Sequence, residues 1–314
     1  MKDRSLKESK NLICIPYAYI EGATSGNAKG DESEKIKIYL KNACVALISA
    51  KHYNPESIVA LATNMEKEKI DNEFISLLEK NDIEILYISY DSFKFSKEYT
   101  WSLAFYKLCV LDHLCNMDYE NICYMDTDVF VQGSMNSIWE ECTQHIMLYD
   151  TGHGLDIPSY VRFIDEIEKF TGERQLITHC GGEFVAASKE NAIKLCDECK
   201  NIYNKMLEKD FKSAIGDEFI LSLAANNLGV LVKNASAYTQ RLSTYPNFRC
   251  VSTRYKYDRL TVLHLPAEKN VGMIKMYNRY ISKSIVPKDK IVWKTFRLSK
   301  ISFISKLTRF VRGY

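Results

Sequence analysis

Asp126 and Asp128 stand one residue apart in "ICYMDTDVFV", directly behind a short apolar run. Alternate residues of a strand share a face, so the spacing predicts both carboxylates on one side, with Thr127 opposite. Two carboxylates converging at short range repel each other unless a cation lies between them. Hard oxygen donors suit Mg²⁺ or Mn²⁺, which take one or two carboxylates plus the oxygens of a substrate phosphate. Turn chemistry favours Asp as well, and a solvated acidic turn accounts for the spacing equally well. The setting therefore carries the information. Residues 121–125 read as a strand, 129–131 resume it, and "QGS" turns the chain.

The elements around the pair predict where it lies. Strands are expected over 11–20, 57–63 and 83–89, and helices over 36–50, 69–81 and 100–115. Strands alternating with helices imply right-handed βαβ units and a mainly parallel sheet covered on both faces. Ligands bind such sheets at the carboxyl ends of the strands, and the aspartates end the fourth. The first connection is not a dinucleotide fingerprint, because Gly22, Gly26 and Gly30 are spaced four apart in an acidic loop. NAD is disfavoured on that ground, and the chain contains no G-x-x-x-x-G-K-[ST]. A nucleotide held without either loop leans on a metal for its phosphates.

At 314 residues the chain suits one large domain or two modest ones. Its 46% hydrophobic and 26% charged content is ordinary for a globular protein. The net charge of +2 makes no case for nucleic acid. No run is long enough to span a membrane, and "MKDRSLKESKN" lacks the apolar core of a signal peptide. The ten cysteines, scattered through expected strands and helices, read as buried thiols of a reducing, cytoplasmic compartment. Cys196 and Cys199 form one C-x-x-C, a weak zinc signal without a second pair.

Taken together, the first strand ending in aromatic residues, the helix carrying Lys107 and "ICYMDTDVFV" resemble the GT-A fold glycosyltransferases. The likeness is strongest to the glycogenin-like enzymes with Y-x-D-x-D, and it extends over about residues 11–280. It implies an α/β fold: a GT-A type, Rossmann-like, mixed but mainly parallel sheet flanked by helices. Residues 1–283 would form the catalytic domain, with nucleotide-sugar binding in 11–135 and the sugar and acceptor side in 136–283. It further implies Mn²⁺ or Mg²⁺ on Asp126 and Asp128, gripping the diphosphate of a nucleotide sugar, with a UDP-sugar favoured. Tyr17, Lys107, Thr127 and Lys269 join these aspartates as donor-binding residues.

Three later segments fit the resemblance. In "THCGGEF", Gly181 and Gly182 would let backbone approach a ligand and Glu183 would face the sugar, although a tight turn before a strand also fits. In "AIGDEF", Asp217 and Glu218 open an apolar helical pattern. They suit the positive helix end as simple capping, and Asp217 equally suits the acceptor hydroxyl. In "VLHLPAEKN", His264 matches the family's third metal ligand. The family's glycine is Ala267 here, and Lys269 stands one residue early, so retaining or inverting stereochemistry stays open. An inverting enzyme would need a base such as Asp217; a retaining one would not. Arg241 is a further source of positive charge.

From residue 288 the composition shifts to eight Lys or Arg against one Asp. Val292, Phe296, Phe303, Leu307 and Phe310 recur at roughly helical spacing. Segment 284–314 therefore reads as a basic amphipathic tail, and its contact with an anionic membrane surface is favoured over packing on the domain. The expected activity is metal-dependent sugar transfer to a glycan or lipid-linked acceptor, in surface polysaccharide biosynthesis, by a protein peripheral on the inner membrane face. A sugar-nucleotide pyrophosphorylase is a second reading, though the expected glycine-rich phosphate loop is missing. An inactive sugar-binding or scaffold protein of the same fold is a third.

Overall fold

The structure, a computed structural model, describes residues 10–23, 30–152, 154, 157–242, 244, 260–298 and 311. In β1 (Asn11–Tyr17) every residue from Leu12 onward is buried. Leu12 and Cys14 belong to one apolar cluster, Ile13 and Ile15 to the other. Side chains alternate across a strand, so a strand apolar at every position needs cover on both faces. α1 (Glu32–Tyr53) covers the face of Ile13. The alternation continues through β2 (Ile58–Thr63), α2 (Asn72–Lys80), β3 (Glu84–Tyr87), α3 (Tyr106–Cys115) and β4 (Asn121–Met125). α3 covers the face of Leu12.

Boundaries moved where local chemistry overrides periodicity. α1 begins before its apolar pattern because Asp31 and Glu34 form a capping box. α3 is preceded by a 3₁₀ turn, Ser102–Phe105. The larger correction concerns the aspartates. β4 stops at Met125, residues 126–128 form a corner, and β5 (Val129–Val131) pairs in a different sheet. The pair does not ride on one continuous strand.

The chain continues through α4 (Asn136–Cys142), β6 (Ile146–Asp150), α5 (Pro158–Thr171), β7 (Cys180–Ser188), α6 (Lys189–Glu208) and α7 (Asp217–Leu228). It then forms β8 (Val232–Asn234), β9 (Thr239–Arg241), β10 (Val262–His264), α8 (Gly272–Lys283) and α9 (Asp289–Thr295). The large sheet has the order β3-β2-β1-β4-β7-β6-β8. β7 runs antiparallel to both its neighbours, while the other pairings are parallel. A small sheet, β5-β10-β9, stands beside it with α1 packed between the two. The expected mixed, mainly parallel sheet flanked by helices is therefore what forms.

α9 and the turn after it correct part of the tail reading. Val292 and Phe296 are buried in the core, with Phe296 against Phe130 at 5.5 Å between ring centroids. Trp293 Nε1 donates to Gln132 Oε1 at 3.2 Å, and Arg297 Nε donates to Glu268 Oε1 at 2.6 Å. These positions pack inward because the small sheet leaves an apolar face that α8 and α9 cover. Phe303, Leu307 and Phe310 lie outside the described residues. Among the described residues no helix is long and apolar enough to cross a membrane. The nine cysteines in that set are buried thiols without disulfides.

If α9 belongs to this core, Phe296→Ala is expected to cost about 3–5 kcal/mol in urea unfolding, as buried aromatic truncations do. A loss well below about 1 kcal/mol would show that α9 does not pack there.

Candidate active site

The corner at 126–128 is fixed from both sides by backbone. Asp126 N–H donates to the Glu183 carbonyl at 3.1 Å, and Leu265 N–H donates to the Asp128 carbonyl at 2.9 Å. The first bond ties the corner to β7, the second to the end of β10. In β10 the pairing register sets His264 opposite Val129 on one side and Arg241 on the other. Residues far apart in sequence thus meet at one point. His264 Nε2 lies 3.5 Å from Asp128 Oδ2 and 3.8 Å from Asp126 Oδ2.

Behind His264 sits Glu183. Its Oε1 lies 3.0 Å from His264 Nδ1, and it takes Arg241 bidentately, at 2.8 Å from Nε and 2.7 Å from Nη2. Glu183 is buried at 2% exposure. This corrects the expectation that it faces the sugar: Glu183 lies behind the cavity lining, and both its oxygens are taken by His264 and Arg241. A carboxylate on Nδ1 orients the ring and leaves Nε2 to face the aspartates. Burial disfavours the charged imidazole, but Glu183 and Asp128 outweigh it and raise the His264 pKa to about 9. Conversely, His264 and Arg241 hold Glu183 well below the usual carboxylate range despite burial.

Asp126, Asp128 and His264 each offer a ligand atom, and these atoms lie within 4.8 Å of one another. Asp128 Oδ2 is buried and accepts no hydrogen bond. Its nearest cations are Lys269 Nζ at 3.4 Å and His264 at 3.5 Å. Against burial, Lys269 and His264 depress its pKa strongly, so the oxygen stays anionic. A buried anionic oxygen lacking a close partner, beside a second carboxylate and an oriented imidazole, suits a hard divalent cation. The residues fit the metal.

A second branch runs from Asp126 through α3. Lys107 Nζ lies 3.2 Å from Asp126 Oδ1, 2.9 Å from Asp217 Oδ2 and 3.0 Å from the Gly182 carbonyl. Burial pushes the Asp217 carboxyl pKa up to about 6, with Lys107 opposing and Glu218 reinforcing the rise. Neither acid at the start of α7 makes a side-chain cap; Gly216 is the cap residue, at φ +67°. Glu218 instead pairs with His179 Nε2 and with Arg241, each at 2.8 Å. The capping reading of Asp217 and Glu218 gives way to ion pairing across the site, with the helix dipole still favouring their charge.

These groups border a cavity of about 690 Å³. Tyr17, Lys107, Asp217 and Lys269 line it, and so does Thr127 between the two aspartates, because the corner replaces the strand alternation that would have turned it away. Lys269 reaches Asp128 although it stands one residue early, because the 3₁₀ turn Pro266–Glu268 precedes it and Asn42 holds its carbonyl at 3.0 Å. Three contributors carried no signal in the sequence. Tyr39 stacks on Tyr17 at 5.7 Å and lies 5.0 Å beneath Lys269 Nζ. Trp101 borders the cavity on its α3 side, and His179 braces Glu218.

Two outcomes follow from this packing. His264 has an ordinary pKa of 6.5 and a folded one of about 9, so its contribution is present below pH 6.5 and lost as pH rises through 9. Urea unfolding in EDTA should show stability falling from pH 6.5 towards 9, and His264→Gln should flatten that slope. A Cβ at Gly182 would come within 2.2 Å of Asp217 Oδ2 and 2.8 Å of Lys107 Nζ, whereas one at Gly133 meets nothing closer than 3.6 Å. Gly182→Ala should therefore cost about 1–3 kcal/mol by overpacking, and Gly133→Ala clearly less, in the same assay.

No protein-family model matches the chain, and no curated protein sequence does. Solved structures do. Mouse xyloside xylosyltransferase 1, in its apo form, superposes with a TM-score of 0.51 at 11% identity, covering 81% of this chain and 97% of that one. The galactosyltransferase LgtC in complex with donor and acceptor sugar analogues gives 0.51 at 13%, covering 91% and 99%. An active-site variant of LgtC matches over the same extent. The described sheet order, the corner carrying the aspartate pair and these superpositions give this chain the GT-A glycosyltransferase fold.

Proposed function

We propose that this protein is a metal-dependent glycosyltransferase that moves a sugar, a hexose in the first instance, from a nucleotide sugar to a glycan or lipid-linked acceptor. The observation that carries the reading is the convergence of Asp126, Asp128 and His264 beside Lys269 and Lys107 at one cavity. Glycosyl transfer develops negative charge on the departing diphosphate. Mn²⁺ or Mg²⁺ held by Asp126, Asp128 and His264 would supply Lewis-acid stabilisation of that leaving group. Lys269 and Lys107 add fixed positive charge at the same corner. Burial of both ammonium groups is outweighed by the aspartates, which keep them protonated. Preorganised charge of this kind acts where charge develops in the transition state.

Asp217 is ionised above pH about 6 and borders the cavity, so it is positioned to take a proton from an acceptor hydroxyl if transfer inverts. We assign donor binding to residues 11–135 and the sugar and acceptor side to 136–283. A UDP-sugar is favoured through the glycogenin-like order of motifs. The similarity to LgtC, a galactosyltransferase solved with donor and acceptor sugar analogues, supports a sugar acceptor. A role in surface polysaccharide biosynthesis at the inner membrane face rests on the basic composition from residue 288 onward.

Thermal unfolding with UDP or GDP, each in Mn²⁺ or in EDTA, tests the reading. A nucleotide at roughly 100 times its Kd stabilises the native state by about 2.7 kcal/mol. UDP is expected to raise the Tm only with Mn²⁺, and Asp128→Asn should abolish both that shift and metal-dependent hydrolysis of the donor. No shift with either nucleotide would remove the donor assignment. An Asp128→Asn protein with unchanged turnover would remove the metal site.

A further inference from the structure

Outside the cavity, α3 carries a second cluster of unlike donors. Cys109 and His113 stand four residues apart, one turn of helix, and so share a face. Asp91, in the connection after β3, reaches that face. Its Oδ1 lies 3.0 Å from His113 Nε2 and 3.5 Å from Cys109 Sγ. The Ser89 carbonyl lies 3.2 Å from the same sulfur. The three ligand atoms are mutually within 4.8 Å. Cys109 is buried, whereas Asp91 and His113 are partly open to solvent, so the cluster runs from the surface to the sulfur.

We propose that Asp91, Cys109 and His113 form a second metal site, selective for Zn²⁺, that staples the connection between β3 and α3 to the helix bearing Lys107. The donor chemistry separates it from the aspartate corner. A thiolate with an imidazole is a borderline-soft set that suits Zn²⁺ and disfavours Mg²⁺, whereas the corner offers hard oxygens and one imidazole. Binding removes the Cys109 thiol proton to solvent and leaves the His113 ring neutral, so one thiolate and one carboxylate balance the dication. Three protein ligands leave one tetrahedral position to water. Without the ion the cluster is a partly exposed His113–Asp91 contact beside a thiol, worth little to stability. With it, the connection is tied to α3 two residues from Lys107, which faces the cavity. The assignment is independent of the glycosyltransferase reading.

The full chain, stripped of metal with a chelator and titrated with Co²⁺, tests it. The expected result is a sulfur-to-cobalt charge-transfer band that saturates with a single ion and collapses when Zn²⁺ is added. The band should persist in the Asp126→Asn, Asp128→Asn double variant, whose corner offers no sulfur. It should be lost in Cys109→Ser and in His113→Ala, the latter altering a partly exposed side chain. Zn²⁺ affinity in both variants, by competition with a chromophoric chelator, should fall by more than the roughly 10- to 100-fold that losing an outer-shell partner costs. A missing band in the wild type, or a band unchanged in His113→Ala or Cys109→Ser, would overturn the proposal.

Discussion

Asp126 and Asp128 are held at a corner of the chain where burial and like charge both oppose them. Glu183, Asp217 and Glu218 crowd the same region, and the compensating cations are Lys107, Arg241, Lys269 and His264. Buried ion pairs seldom stabilise a fold, because desolvation offsets their attraction. Removing one member of such a pair leaves its partner uncompensated, at a cost of about 3–5 kcal/mol. The cluster therefore behaves as one unit. Asp126 touches both branches, since it lies near His264 on one side and bonds Lys107 on the other.

The rest of the architecture supplies rigid places for those charges. β4, the central strand of the large sheet, delivers the aspartates at its carboxyl end, and β5 carries the chain into the small sheet. That change of sheet brings His264 and Arg241 to the same corner, although they are more than a hundred residues away in sequence. The turn bearing Lys269 is held in its own way. Glu268 is fully buried and receives both the Thr244 hydroxyl and Arg297. The turn that follows α9 thereby braces a cavity-lining segment from outside, a role separate from any surface.

Similarity in this fold runs far below what sequence comparison detects. At 11–13% identity, the shared feature is the layered arrangement of sheet and helices, whose interior tolerates many apolar substitutions. The fold alone does not fix function, so the proposed reading stands on the chemistry of the side chains at the charged corner.

Local pattern alone determined a good deal. The alternating strands and helices, the apolar strand before "DTD" and the helical start at Asp217 were legible, because periodicity and turn chemistry act over a few residues. Asp126, Asp128, His264, Lys107 and Lys269 were also nameable, through the order of motifs rather than through spacing. The tertiary structure decided what each group faces. Glu183 turned from the sugar to His264 and Arg241, because β7 runs antiparallel beside β4 and burial demands partners for its charge. Val292 and Phe296 turned inward, since only the assembled small sheet presents an apolar face for them. Tyr39, Trp101 and His179 entered the site with no local signature at all. Contacts between distant segments depend on sheet order and register, and neither is encoded in a short window of sequence.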